Sequence, residues 1–80
     1  MTIKDIIELK IFDENEQVVV LKGNVNNPII LYTGRLHKTP SNMFGLKVEQ
    51  ISSMGEHRRT MLKLNKYGWI ELWVDEESHF

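Results

Sequence analysis

The sequence predicts an all-β fold, a small barrel or sandwich of five to six antiparallel strands, with room for a short helical turn at the N-terminus. In several stretches apolar and polar residues alternate with a period of two, which is typical of half-buried strands. Asparagine, proline and glycine separate these stretches. Alanine, the strongest helix former, is absent. Because a single sheet would leave one apolar face in water, we expect the strands to close into a barrel or a sandwich.

The first two strands are predicted near the N-terminus. Residues 7–11 alternate, residues 13–16 (DENE) suit a polar turn, and residues 17–22 (QVVVLK) are rich in β-branched side chains. Together they indicate a hairpin that begins at about residue 7. A short helix is the competing interpretation of the first residues, with Thr2 as N-cap and Asp5 completing a variant of the capping box.

The middle of the chain predicts two further strands. Residues 28–36 (PIILYTGRL) are strongly apolar and β-branched, and residues 44–49 (FGLKVE) alternate. Gly34 and Gly45 lie inside these predicted strands. A glycine within a strand marks a bend or a bulge, so both positions are candidate corners of a barrel.

Turn chemistry predicts a C-terminal hairpin over residues 58–75. Asn65 begins a turn well, and Gly68 can adopt the left-handed conformation that ends a three-residue hairpin loop. This register pairs Lys63 with Glu71, Met61 with Trp73, and Arg59 with Asp75. Each opposite-charge or sulfur–aromatic pair of this kind contributes about 0.2–1 kcal/mol.

In that hairpin the two tryptophans lie on the face opposite to the aliphatic residues of the same strand, because neighbouring side chains alternate. Two interpretations stay open: the tryptophans are core residues under a second layer, or they lie on a half-exposed face among paired charges. An exposed face rich in Trp, Met and Arg is typical of a protein-binding surface. The candidate partner-binding residues are Trp69, Trp73, Met61, Arg59 and Lys63.

Composition and motifs narrow the function classes. The chain has 80 residues, which predicts one domain over residues 1–80, and it has no cysteine and a net charge of −1. No phosphate-binding loop, zinc motif or nucleophile elbow is found. We therefore expect a non-enzymatic protein without a cofactor or metal. The absence of a long apolar run or a signal-peptide pattern predicts a cytoplasmic protein that does not bind a membrane.

One short motif resembles a known family. Gly34, Arg35 and Leu36 end the apolar run of residues 28–36, which is the second strand when the N-terminus is helical, and the small barrel size is similar to that of the Sm-like RNA-binding barrels. The resemblance implies RNA contacts after the second strand, at Asn42, and before the last strand, at Lys66. On such an Sm-like or OB-like barrel, single-stranded nucleic acid would meet Tyr67, Lys66, Arg58 and Asn42.

The sequence thus predicts a protein-interaction module, acting as a homo-oligomer or as an adaptor or inhibitor of a partner protein. Nucleic-acid binding is the alternative, in which bases stack on aromatic rings and cations follow the phosphates. The acidic residues near the tryptophans, Glu71 and residues 75–77, oppose phosphate binding. For that reason a protein partner ranks first.

Overall fold

A four-stranded mixed sheet forms the centre of the protein. The structure is a computed structural model and describes residues 1–64 and 68–75. Its strands are β1 (Gln17–Asn24), β2 (Asn27–Arg35), β3 (Val48–Ser53) and β4 (Ile70–Val74). Their order across the sheet is β2-β1-β4-β3. Strand β1 is antiparallel to β2 and parallel to β4, and β3 is antiparallel to β4. The two edges of the sheet are therefore β2 and β3.

Short helices complete the fold. They are α1 (Ile3–Glu8), α2 (Glu56–Met61) and two single turns of 3-10 helix at Leu36–Lys38 and Ser41–Met43. At the start of α1, the Asp5 amide donates to Thr2 Oγ1 at 3.2 Å, and the Thr2 amide donates to Asp5 Oδ2 at 2.9 Å. This reciprocal capping box is the helical alternative that the sequence left open.

Strand β1 is buried on both faces and separates two cores. Residues 18–21 (VVVL) are all buried, because helices or loops cover both sides of the sheet. The aliphatic core lies on the side of α1 and comprises Ile3, Ile6, Val18, Val20, Leu36, Met43, Leu46, Val48, Leu72 and Val74. The tryptophan core lies on the side of α2 and comprises Val19, Leu21, Trp69 and Trp73.

The predicted antiparallel barrel of five to six strands is wrong in its closure and its strand direction. The described residues form one open sheet of four strands, with one parallel pair. Helices shield its faces instead of further strands. Residues 7–11, predicted as a strand, lie in the end of α1 and the turns that follow it, and Gly45 lies in a turn rather than in a strand. The Sm-like barrel topology is likewise not seen.

The predicted hairpin over residues 58–75 is also wrong, because its first half is helical. Helix α2 occupies Glu56–Met61, with an acidic residue in its first turn and Arg58 and Arg59 near its end. This charge order suits the helix dipole. Residues 56–60 (EHRRT) are all polar and show no strand period, so the alternation that favoured a strand begins only at Thr60. The predicted turn residues 65–67 lie outside the described residues.

Candidate interaction surface

Both tryptophans lie under α2 in the tryptophan core. Trp69 and Trp73 are 8% and 7% exposed. Partly buried Met54, Leu62 and Leu64, from the segments on either side of α2, pack against this core. The indole nitrogen of Trp69 has no hydrogen-bond partner among the described residues. The face that the sequence left open between core and surface is therefore covered in this structure.

A buried carboxylate holds α2 against the sheet. Glu71, 6% exposed, accepts hydrogen bonds at Oε1 from Ser52 Oγ and from Trp73 Nε1, both at 3.0 Å. Its Oε2 lies 3.3 Å from Arg58 Nε. The Arg58 guanidinium also stacks over Trp73, 5.3 Å from the ring centroid, and donates to the Val25 carbonyl at 2.5 Å. These contacts connect α2, β3, β4 and the β1–β2 turn.

The sequence-predicted partner-binding residues do not gather on one exposed face. Met61 and Lys63 are exposed at and after the end of α2. Arg59 is half-buried and donates to the Leu64 carbonyl at 3.0 Å. The predicted pairing of Lys63 with Glu71 is replaced by Arg58 with Glu71, because α2 is a helix. A partner-binding role for Trp69, Trp73, Met61, Arg59 and Lys63 stays a prediction.

The residues predicted for nucleic-acid binding are also dispersed. Asn42 is exposed in the second 3-10 helix, on the side of the aliphatic core, whereas Arg58 is half-buried against the tryptophan core. Tyr67 and Lys66 lie outside the described residues. The structure thus brings none of these four side chains together among the residues it describes.

The most exposed apolar surface on the sheet is the first half of β2, next to the β1–β2 turn. Ile29 and Ile30 are 54% and 41% exposed, and Val25, in the turn before β2, is also exposed. Within the part of the chain that the structure describes, no backbone segment bonds to the outer edge of this strand. Strand β2 therefore offers unpaired amides and carbonyls beside two isoleucines.

A bulge and a glycine shape the second half of β2. The pairing with β1 shifts at Leu31, which is half-buried against the aliphatic core. Farther along, the Tyr32 hydroxyl donates to the Arg35 carbonyl at 2.7 Å, and burial raises the pKa of Tyr32. Gly34 has φ +148°, and a Cβ there would lie 2.7 Å from the Tyr32 hydroxyl oxygen. Glycine is required at this position, where the sequence predicted a bend.

The opposite edge, β3, is partly covered. The Val48 amide donates to the Met1 carbonyl at 2.7 Å, and the Ile3 amide donates to the Leu46 carbonyl at 3.1 Å. The N-terminal segment therefore lies along the start of β3, where Thr2 pairs with Lys47 in an isolated bridge. A bulge at Glu49 interrupts the pairing of β3 with β4. Both features shorten the part of this edge that a further strand could join.

Two open grooves have volumes of about 490 and 360 Å³. The larger lies between α1 and residues 12–15, with Leu36 in its lining, and the smaller lies beside Gly23 and Trp73. No group of three or more His, Asp or Glu residues that could hold a metal is found within residues 1–64 and 68–75. In those ranges no helix is long and apolar enough to cross a membrane.

Comparison with known proteins adds no relative. The chain matches no protein-family model, no curated protein and no solved structure. Its function must therefore be argued from its own residues.

No residue of the β2 edge is among the sequence-predicted site residues, although its sequence has one distinctive feature. The run PIIL, residues 28–31, has three consecutive large apolar residues after a proline, whereas a strand with one solvated face alternates. The run was assigned to a closed barrel, in which both neighbours would cover the strand. In the open sheet one neighbour is missing.

Proposed function

We propose that this protein is a protein-interaction module that binds an extended segment of a partner along the outer edge of β2. The observation that carries the proposal is a nine-residue edge strand with exposed Ile29 and Ile30. In strand addition, main-chain hydrogen bonds supply affinity and the side chains beside the edge supply specificity.

Strand β2 lacks the charge that usually protects an edge. Natural edge strands discourage pairing with lysines, prolines, bulges or a covering segment. In β2 the central residues 29–34 have no charge, and Pro28 lies near the hairpin tip. The pairing with β1 shifts at Leu31 and continues to Arg35, so we expect the partner to follow the edge over residues 28–35 and to bend at the bulge.

Single-stranded nucleic acid has less support as the ligand. Base stacking needs an accessible aromatic face, whereas Trp69 and Trp73 are buried and Arg58 is paired with Glu71. The net charge of −1 gives no general attraction to phosphate.

A matched pair of edge variants tests the proposal. Ile30 on β2 and Ile51 on β3 are 41% and 37% exposed, so the same change to lysine at each has a similar effect on folding. A displayed library of extended peptides is first selected on the immobilised wild-type chain. We then expect Ile30→Lys to lower the affinity of the selected peptides at least about tenfold, because the lysine would place a charge in an apolar contact with the bound strand. Ile51→Lys should leave their affinity within about twofold.

Two results would contradict strand addition at β2. One is the absence of any selected peptide that binds the wild-type chain. The other is an equal loss of affinity in the Ile30→Lys and Ile51→Lys variants when circular dichroism shows both to be folded. Peptides with methylated backbone nitrogens at alternate positions provide a further control, because methylation on the paired side removes the donors that strand addition requires.

A further inference from the structure

We infer that the segment bound by β2 is aliphatic at one end and acidic at the other, and that it runs antiparallel to β2 with its carboxylate facing Arg35. This inference rests on the proposed function and adds the chemistry of the partner. It is carried by the charge on the β1–β2 hairpin and by its distribution along β2.

The β1–β2 hairpin is cationic in a chain that is otherwise acidic. Lys22 and Arg35 are the only charged residues between positions 17 and 35, so this stretch carries +2. Since the whole chain carries −1, the remaining residues together carry −3. Arg35 is the charged residue of β2 itself, whereas Lys22 lies on β1.

Arg35 is placed to receive a carboxylate from a strand on the outer edge. It is the last residue of β2, it is exposed, and its Nη1 makes only a long contact of 3.4 Å to Asn15 Oδ1. No carboxylate lies within ion-pair distance of its guanidinium among the described residues. The guanidinium has five N–H donors in a planar fork, so it retains donors for a bidentate carboxylate.

The apolar and cationic parts of β2 are well separated. Ile30 and Arg35 are five residues apart, which corresponds to roughly 16 Å along a strand. In an antiparallel arrangement, which is the commoner one and has the better hydrogen-bond geometry, the partner's acidic residue precedes its aliphatic residues by about five positions. A parallel arrangement would reverse this order.

A second copy of this chain fits the same edge less well. In an antiparallel pair of two β2 strands, the Arg35 end of each copy lies at the tip of the other hairpin. Residues 23–28 of that tip (GNVNNP) include no acidic residue, so a second copy offers no carboxylate to Arg35.

Three synthetic peptides test the inference. Each is capped, has nine residues of alternating valine and threonine, and carries aspartate, asparagine or lysine at its second position. We expect the aspartate peptide to bind about two- to fivefold more tightly than the asparagine peptide, as for an exposed ion pair, and the lysine peptide to bind most weakly. The preference should shrink between about 0.02 and 0.5 M salt because screening weakens exposed ion pairs. Fluorescence anisotropy of labelled peptides provides the affinities.

Arg35→Gln identifies the cation, with Lys47→Gln beside β3 as the matched control. The expected result is loss of the aspartate preference in Arg35→Gln and its retention in Lys47→Gln. Equal binding of the three peptides by the wild-type chain, or stronger binding when aspartate is at the eighth position, would overturn the inference while leaving strand addition intact. Failure of all peptides to bind would instead contradict the proposed function.

Sedimentation of the chain without peptide tests whether a second copy of the chain occupies the β2 edge. We expect a monomer at concentrations up to about 100 μM, because the β1–β2 hairpin of a second copy offers no carboxylate to Arg35. Self-association that Ile30→Lys abolishes and Ile51→Lys preserves would show that the second copy occupies the edge, and the acidic partner would then be rejected.

Discussion

The two edges of one sheet differ in how they are protected. Strand β3 has a bulge at Glu49, and the N-terminal segment lies along its start, where the Val48 amide donates to the Met1 carbonyl. Strand β2 also has a bulge, at Leu31, but it is longer, has two exposed isoleucines and meets no described backbone segment on its outer side. Natural proteins usually protect an edge strand against pairing with another chain. The β2 edge is apolar instead, and this is the physical reason for assigning binding to β2.

The comparison also shows that the tryptophans and the binding edge are separate features. The aromatic side chains complete a core under α2, whereas the exposed apolar residues belong to the β1–β2 hairpin. The two meet through Arg58, which stacks over Trp73 and holds the Val25 carbonyl at the hairpin tip. The tryptophan core therefore supports the position of the edge rather than providing the contact.

The largest effect is expected from Glu71→Ala, which removes the support that the two edges share. It leaves Arg58 without its carboxylate and Trp73 Nε1 without an acceptor. Loss of one partner from a buried pair costs about 3–5 kcal/mol, and since Arg58 is partly solvated we expect about 2–3 kcal/mol in urea unfolding. Glu71→Gln, which retains an acceptor for Trp73, should lose less. A loss below about 1 kcal/mol in Glu71→Ala would contradict this role.

A change confined to β2 is expected next. Gly34→Ala places a methyl group 2.7 Å from the Tyr32 hydroxyl oxygen at φ +148°. Strain of this kind costs about 1–3 kcal/mol, and peptide binding at β2 should weaken with it. The matched control is Gly45→Ala, since no atom lies within 4 Å of the added group and φ is not positive there. If the two variants have equal unfolding free energies, the close contact with Tyr32 does not constrain β2.

A smaller effect is expected at the covered edge. Thr2→Ala removes the N-cap acceptor of α1, which costs about 1 kcal/mol. Because the Met1 carbonyl that holds β3 directly precedes this cap, we expect hydrogen exchange at the Val48 amide to accelerate while exchange in β2 stays unchanged. Unchanged exchange at Val48 would show that the N-terminal segment does not depend on the cap.

The smallest effect is a pH dependence of the same cap. The hydrogen bond from the Thr2 amide lowers the pKa of Asp5 below its usual 3.8. The ionised carboxylate is thus favoured by folding, and its contribution is present above pH 3.8 and is lost as the pH falls through the folded-state pKa. Asp5→Asn should therefore be less stable than wild type near pH 6, and the difference should shrink as the pH falls below 3.8. A stability difference that is independent of pH would contradict this assignment.

The sequence located most of the strands but not their partners. Residues 17–22, 28–36 and 69–75 were predicted as strands and overlap β1, β2 and β4. The run VVVL at residues 18–21, buried on both faces, was a signal for a central strand with a parallel neighbour. The β1–β4 pairing joins residues that are far apart along the chain, so no local turn could indicate it.

The interaction surface was harder to predict than the strands. Which apolar residues are buried and which are exposed depends on whether residues 56–61 form a helix. The alternation that favoured a strand begins only at Thr60, and residues 60–64 are too few to separate a helix from a strand. When this helix forms, Arg58 rather than Lys63 reaches Glu71, and both tryptophans are covered. The exposed apolar side chains available to a partner are then those of β2, a strand that was predicted to lie inside a closed barrel.

Residue-level hydrogen exchange with and without a selected peptide is the most direct test of binding at β2. The peptide should slow exchange at alternate amides of residues 28–35, because only every second amide of an edge strand faces outward. Amides of residues 49–53 in β3 should be unaffected. Protection that appears in β3, or over α2 and the tryptophan core without any change in β2, would contradict the assignment of the binding edge.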